Sequence, residues 1–425
     1  MHSKFAQSNQ SGRLLAIYLA CGLSFLAAPA NAAELALQLD TGMRMDSNPF
    51  RFTDTADVQT AVGTSKKSDS ITSMDARGAL IVPLDSPETR LVLAGQIGHQ
   101  DYKQFSQLDN INGTYRAALQ WRLGNLWRGE LLHSGESQLY RYLDGGLTQK
   151  VITNAGTTTA EVALRMTPDI EFPMSISRQT VRYDNIALQA YDKNDRVIDA
   201  GGRWRTGTQS TVRAGYRSTL AQYQNRTAAQ IATLDNEYSD RELYLSSDWQ
   251  YSVMSRLTGR LGYLQRSYQS LTARNFSVLT VEMQAVYDHS PLTRITAEIW
   301  NRPYGSTDPS ALYTISTGAQ IGVRWFATPS TRLSVAATEE LQSYKSSGIG
   351  LSANNPQVKR TRLGGGIVYA YTRDFRIYAE GFREQMDRGA LGSAIHQNSL
   401  RVGLEYTYEN LTGVALRNSL GDRRL

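Results

Sequence analysis

The sequence predicts an all-β fold: a transmembrane, antiparallel, up-and-down β-barrel of about 18 strands (range roughly 16–20) around a polar lumen. Three observations carry that expectation. Segments of about ten residues alternate apolar and polar along the chain, their connections alternate between short and long, and aromatic residues gather beside the short connections.

Alternation with period two is the signature of a strand with two unlike faces. Between Tyr115 and Leu123, one face carries Tyr115, Ala117, Leu119, Trp121 and Leu123, and the other Arg116, Ala118, Gln120 and Arg122. Val212, Ala214 and Tyr216 oppose Arg213, Gly215 and Arg217. Thr317, Ala319, Ile321 and Val323 oppose Ser316, Gly318, Gln320 and Arg324, and Leu400, Val402, Leu404, Tyr406 and Tyr408 oppose Arg401, Gly403, Glu405 and Thr407. About 19 such segments run from Glu34–Met45 to Leu411–Arg417, and barrels of this class are usually even-numbered. Eighteen strands ending at Tyr408 therefore give a barrel over 33–408, with 409–425 a tail or an incomplete final strand. The chain ends on Gly421-Asp422-Arg423-Arg424-Leu425 rather than on a closing aromatic residue, which suggests an altered C-terminus.

Short turns are expected at Leu84–Glu88, Leu123–Leu126, Thr167–Ile170, Thr206–Gln209, Ser252–Ser255, His289–Leu292, Ala327–Ser330 and Thr372–Asp374. Longer polar loops are expected at Asp46–Ser68, Tyr142–Lys150, Asn185–Asp195, Asn225–Glu237, Pro303–Ser310, Ser346–Lys359 and Asp387–Gln397. Outer-membrane barrels sort their loops in this way, with tight turns at the periplasmic end. Trp121, Trp204, Trp249, Tyr251, Tyr287, Trp325, Tyr371 and Tyr408 lie on apolar faces just before short turns. Rings collected at one rim form a periplasmic aromatic girdle, because amphipathic rings favour the membrane–water interface.

The N-terminus supports export. Lys4 and Arg13 precede an uncharged apolar run from Leu14 to Ala28, and Ala30-Asn31-Ala32 fits a small-x-small cleavage site. Residues 1–32 read as a cleaved signal peptide rather than a membrane-spanning helix, since Pro29 ends the run early. Cys21, the only cysteine, faintly matches a lipoprotein cleavage box; cleavage after Ala32 removes it and leaves no disulfide or thiol chemistry. No linker follows, and the full sequence has abundant Gly (34), scarce Pro (11) and more Tyr (23) than Phe (10). Its mean hydropathy of −0.40 fits a barrel whose strands are only half apolar. A net charge of +6 on so long a chain does not point to nucleic acid.

No catalytic constellation is visible, so no enzyme activity, cofactor or metal is expected. His99, His133, His289 and His396 are scattered without ligand spacing, and no nucleophile elbow or phosphate-cradling loop occurs. Gly364-Gly365-Gly366, inside a strand, suits curvature or close approach. The chemistry instead lies in the expected lumen, where Arg116, Arg122, Arg203, Arg205, Arg213, Arg217, Arg324 and Arg401 are the candidate contacts for an anionic sugar. Arg260, Arg362 and Arg376 share that face with Asp199, Asp248, Glu282, Glu298, Glu380 and Glu405. Either the arginines concentrate anions, or facing acids neutralise them. Tyr102, Tyr140, Tyr142, Tyr268 and Tyr344 fall near the outer loops, where they would stack on sugars or form an outer interface belt.

The first strand leads into Asp46-Ser47-Asn48-Pro49-Phe50-Arg51. This motif, and the polar-aromatic texture of the mature chain, resembles the EpsL-like outer-membrane β-barrel porins of exopolysaccharide biosynthesis operons. From the residues alone, the motif is equally a loop start, since Asp and Asn favour turns and Pro49 restricts its neighbours. The resemblance implies an outer-membrane pore for polysaccharide export, with outer-membrane lipid, polysaccharide chains and periplasmic export components as partners. A general or substrate-specific uptake porin, and a structural or assembly barrel with a plugged lumen, are the competing expectations.

Overall fold

The structure, a computed structural model, describes residues 33–409 except 87, 141–147, 209, 305–310, 347–356 and 390–391. The expected signal peptide, Cys21, Tyr142 and the segment 410–425 lie outside the described residues. Eighteen strands follow one another. The first six are β1 (Glu34–Asp46), β2 (Asp69–Ser86), β3 (Thr89–Tyr102), β4 (Asn110–Leu123), β5 (Trp127–Leu139) and β6 (Ile152–Arg165). Next come β7 (Ile170–Tyr183), β8 (Lys193–Arg205), β9 (Thr211–Tyr223), β10 (Glu237–Ser252), β11 (Ser255–Tyr268) and β12 (Phe276–Ser290). The last six are β13 (Thr293–Tyr304), β14 (Ala311–Thr328), β15 (Thr331–Ser346), β16 (Gln357–Ala370), β17 (Phe375–Asp387) and β18 (Ile395–Glu409).

Each strand pairs antiparallel with its neighbours in sequence, and β18 returns to β1 from Ala36↔Glu409 to Asp46↔Ser399. The sheet is therefore a closed 18-stranded barrel. Closure removes both edges, and with them the unpaired backbone groups that hydrocarbon could not satisfy. The last strand runs one residue past the expected Tyr408, because the backbone of Glu409 still pairs with Ala36.

Burial is inside-out relative to a water-soluble domain. On β1, Leu39 is 55% exposed while Asp40 beside it is 5% exposed. Leu37, Met43 and Met45 also face outward, between Gln38, Asp40 and Asp46, which press against the inner wall. The same division repeats around the ring, and no described helix is long and apolar enough to cross a membrane.

The short connections are 87–88, 124–126, 166–169, 206–210, 253–254, 291–292, 329–330 and 371–374. They share one rim with the start of β1 and the end of β18. The longer connections among the described residues, such as 47–68, 103–109, 184–192, 224–236 and 269–275, share the other rim. Two of them, 103–109 and 269–275, had no expectation from sequence. Each holds a single helical turn (Ser106–Leu108, Thr272–Arg274) and keeps apolar residues such as Phe105 and Leu271 in step with the strand pattern, so composition does not break there.

At the long-loop rim, the β1–β2 loop is packed rather than free. Phe50, Phe52 and Val58 join Ile71, Tyr102, Phe105 and Leu108 in one buried cluster. Within that loop, helix α1 (Val58–Val62) starts at Asp57, whose side chain accepts from Thr60 N at 3.1 Å. Around the ring, nearly opposite, the β9–β10 loop carries helix α2 (Ala228–Leu234), closed at its start by a reciprocal capping box between Thr227 and Gln230.

Candidate functional site: the arginine-lined lumen

Strand alternation decides which side chains see the lumen, and every arginine singled out from sequence projects inward. What surrounds them decides how much charge is free. Glu171 on β7 is the centre of one cluster. It accepts from Arg128 at 2.6 Å, Arg205 at 3.2 Å and Arg203 at 3.4 Å. Asp199 on β8 is the centre of the next, receiving Arg213 at 2.5 Å, Arg217 at 2.9 Å and the Tyr244 hydroxyl at 2.7 Å. Five guanidiniums thus meet two carboxylates on β5 and β7–β9, and the inward Glu161 of β6 adds a third carboxylate that acts on Arg203. Arg128, Arg205 and Arg217 keep about two-fifths of their side-chain surface in solvent (42%, 37% and 42%), so part of this excess faces the aqueous path.

Elsewhere the inward charges balance more closely. Arg401 lies 2.6 Å from Asp40, 3.4 Å from Asp75 and 3.9 Å from Glu380. Arg122 meets Glu88 at 2.5 Å, Arg376 meets Glu405 at 2.8 Å, and Arg260 meets Glu242 at 2.6 Å. Arg116, more loosely held, lies 3.8 Å from Glu130. Arg324 stands opposite Arg294, whose Nε donates to Asp288 at 2.6 Å. The two readings left open by the sequence therefore apply to different parts of the wall: neutralised pairs over most of it, and an arginine excess around Glu171 and Asp199.

Sequence reasoning missed several lumen residues. Arg128 is inward because Trp127 before it is outward. Trp300 turns inward and donates from Nε1 to Ser316 Oγ at 2.9 Å. Tyr244 and Tyr378 lie flat on the inner wall, Tyr244 over Gly215 and Tyr378 over Gly403, where a Cβ would stand 2.6 Å and 2.4 Å from the ring or its hydroxyl. A glycine in register with a tyrosine on the next strand was the available signal, readable only once the pairing is known. Two recesses open on the lumen. One of about 410 Å³ includes Arg77, Gln96, Arg116 and Glu136; another of about 290 Å³ includes Arg217, Asp240, Glu242, Arg260, Arg266 and Arg302.

The Asp46–Arg51 motif sits at the long-loop mouth, away from the Glu171 cluster. Asn48 Nδ2 donates to Phe52 O at 2.8 Å and to His396 O at 3.1 Å, while its Oδ1 accepts from Phe52 N at 2.8 Å. Asp46 accepts from Gln397 Nε2 at 2.8 Å, and Ser47 Oγ accepts from Asn398 N at 2.7 Å. Arg51 takes a left-handed φ of 55° and reaches Glu384 on the inner face of β17 at 2.7 Å. Phe50 fills the buried cluster. Thus the motif fastens the β1–β2 loop to the inner wall across the β1–β18 seam.

The tyrosines near the outer loops require a correction. Tyr102, Tyr140, Tyr268 and Tyr344 occupy the inward register, and Tyr102 and Tyr344 are buried, so they form no outer interface belt. Tyr102 shares a buried cluster with Phe50 and Phe105, and Tyr344 one with Val358, Met386 and Ile395. By contrast, the rings expected at the short-turn rim do face outward. Trp204, Trp249, Tyr251, Tyr287, Trp325, Tyr371 and Tyr408 are exposed, and Trp127 joins them. Trp121 lies flat over Gly129 on the same outer face.

An apolar outer wall, an aromatic rim and a charged interior together define a membrane-spanning β-barrel. No family model and no curated protein matches the chain. Among solved structures it is similar to OccAB3 of Acinetobacter baumannii, with 10% identity, 89% of this chain and 99% of that one covered, and a TM-score of 0.47. It is also similar to Pseudomonas aeruginosa OccK2 (OpdF) in complex with glucuronate (12% identity, 89% and 98%, TM-score 0.48). A third is the siderophore receptor PirA of Pseudomonas aeruginosa (7% identity, 89% and 81%, TM-score 0.45).

Proposed function

We propose that the chain is an outer-membrane pore that passes an acidic exopolysaccharide outward. The observation that carries the reading is the arginine excess around Glu171 and Asp199. Guanidiniums pair bidentately with carboxylates, and a wall of one sign raises the local concentration of the opposite ion. Several clustered arginines let a polyanion exchange one partner for the next, so that no single site traps it. An 18-stranded barrel is wide enough for an aqueous channel. The resemblance of Asp46–Arg51 to the exopolysaccharide porins supports the outward direction. The aromatic girdle, with Trp121, Trp204, Trp249, Trp325, Tyr371 and Tyr408, suits a membrane–water interface at the short-turn rim, which on this reading is the periplasmic one.

One observation favours uptake of small anions instead. The β1–β2 loop, packed on the inner wall through Phe50, narrows the entrance on the long-loop side. Single-channel conductance in a planar bilayer separates the readings. The export reading expects a large conductance blocked by acidic oligosaccharides of several residues and indifferent to neutral ones. Block by single acidic sugars alone supports uptake. A heat-modifiable, β-rich protein that forms no channel overturns both and leaves a structural barrel.

A further inference from the structure

The outer wall carries a region that the pore reading does not use. Running from the short-turn rim, the outward residues of β7 are Ile170, Phe172, Met174 and Ile176, and then Arg178. On β8 the exposed Ile198 is followed outward by Arg196, and on β10 the exposed Leu243 is followed by Arg241. Each arginine is thus the first charged residue beyond the apolar band of its strand, and each is exposed.

Their arrangement is unusual for a surface at rest. Arg178 and Arg196 stand directly opposite each other. Arg241 pairs with Ser218, whose partner on its other side is Ile198, so it sits one position nearer the apolar band than Arg196. Like charges facing each other across two strands are destabilising unless an anion lies between them. None is supplied by the wall itself. The outward faces of β7, β8 and β9 hold no Asp or Glu among the described residues, and β10 holds only Glu237 at the mouth, which accepts from Gln222. By contrast, outward Lys359 on β16 is met by Glu339 at 2.9 Å. Arg178 gives its Nε to Asn194 Oδ1 at 3.1 Å, which steers the guanidinium along the wall. Beside it, Thr158 and then His133 continue the row, with His133 Nδ1 and Thr158 Oγ1 2.9 Å apart.

We infer that this row is a lipid-phosphate site, in which Arg178, Arg196 and Arg241 hold the phosphates of an anionic membrane lipid against the outer wall. It rests on the membrane-spanning reading. The height fits, since lipid phosphates lie just beyond the hydrocarbon, and the chemistry fits, since guanidinium matches phosphate bidentately.

The test uses the refolded barrel with diphosphorylated lipid A as probe, added to zwitterionic detergent micelles and counted by native mass spectrometry. The wild type should retain lipid A at least tenfold more tightly than R178Q/R196Q/R241Q. R383Q, which removes an outward arginine on β17, should match the wild type. Equal retention by the triple variant overturns the site. Displacement of lipid A by millimolar inorganic phosphate also overturns it, by making it a free-phosphate site. Heat-modifiability in bilayers is measured in parallel. A protein that never becomes heat-modifiable refutes the membrane reading and this inference with it, whereas a heat-modifiable barrel with unchanged retention refutes this inference alone.

Discussion

Replacing Glu171 with Gln removes one negative charge from the densest arginine cluster in the lumen and keeps the side chain's shape. Three guanidiniums lie 2.6–3.4 Å from the carboxylate, so the variant leaves them facing a neutral amide. For an ion passing about 5 Å away in water, a unit charge is worth about 0.8 kcal/mol, and screening at 0.1 M salt reduces this to about 0.5 kcal/mol. That is about a twofold rise in local anion concentration. At 1 M salt the screening length falls to about 3 Å and the effect to about 1.3-fold. Folding should lose about 1–3 kcal/mol, since the arginines keep some access to water. Reversal potentials across a planar bilayer under a potassium chloride gradient read the outcome. The chloride-to-potassium permeability ratio should rise about twofold or more at 0.1 M and barely at 1 M. An unchanged ratio at low salt, in a heat-modifiable variant, would show that ions do not pass near this cluster and would remove the main support for the pore's selectivity.

Two further substitutions address the loops. Phe50→Ala should cost about 3–5 kcal/mol locally and release the β1–β2 loop while the strands stay paired. Protease cutting within 47–68 should then quicken at least about tenfold, and equal rates would show that the cluster does not hold the loop. The second concerns acid. Burial of Asp235 disfavours its charge, but backbone N–H donors led by Leu271 and Ser270 outweigh this and hold its carboxyl below the usual carboxylate range. A lowered folded value means that the stabilisation is fully present above the unfolded pKa of about 3.9 and is lost as pH falls through the folded one. Hydrogen-exchange protection of the Ser270 and Leu271 amides, corrected for intrinsic rate, should hold down to about pH 4 and fall below it. Asp235→Asn should flatten that step, and a step that survives the substitution would assign it to another group.

The barrel was legible because its rule is local. Alternation places Leu39 and Asp40 on opposite faces whatever they later touch, and turn length sorts the rims before any pairing is known. The arginine candidates followed from the same rule, and all project inward. Which carboxylate meets which guanidinium did not follow. That Asp199 serves both Arg213 and Arg217, and also Tyr244 two strands away, depends on strand register. The outer tyrosines were misplaced for a related reason. Tyr102 and Tyr344 look like interface rings in sequence, but both take the inward register, where Tyr102 shares a buried cluster with Phe50 and Phe105 from the loops and Tyr344 one with Val358, Met386 and Ile395 from neighbouring strands. Asp46–Arg51 read as a turn or a family mark. Its bonds to His396, Gln397 and Glu384 join residues from opposite ends of the chain, which no local pattern can reveal.

The seam between β1 and β18 also bears on how such a molecule can be made. Arg401 and Asp40 are separated by 361 residues, and every pairing across that seam has a similar span. Contacts so distant in sequence are the slowest to form, because the whole intervening chain must be organised first. Until β18 is synthesised and delivered, β1 and β17 both present bare edges, each a template for pairing with another chain. Synthesis from the N-terminus makes the earliest strand wait longest for its partner. A cell producing this protein must therefore shield nearly the entire polypeptide against aggregation until its final strand arrives, and loss of that strand would turn the barrel into an open, self-associating sheet.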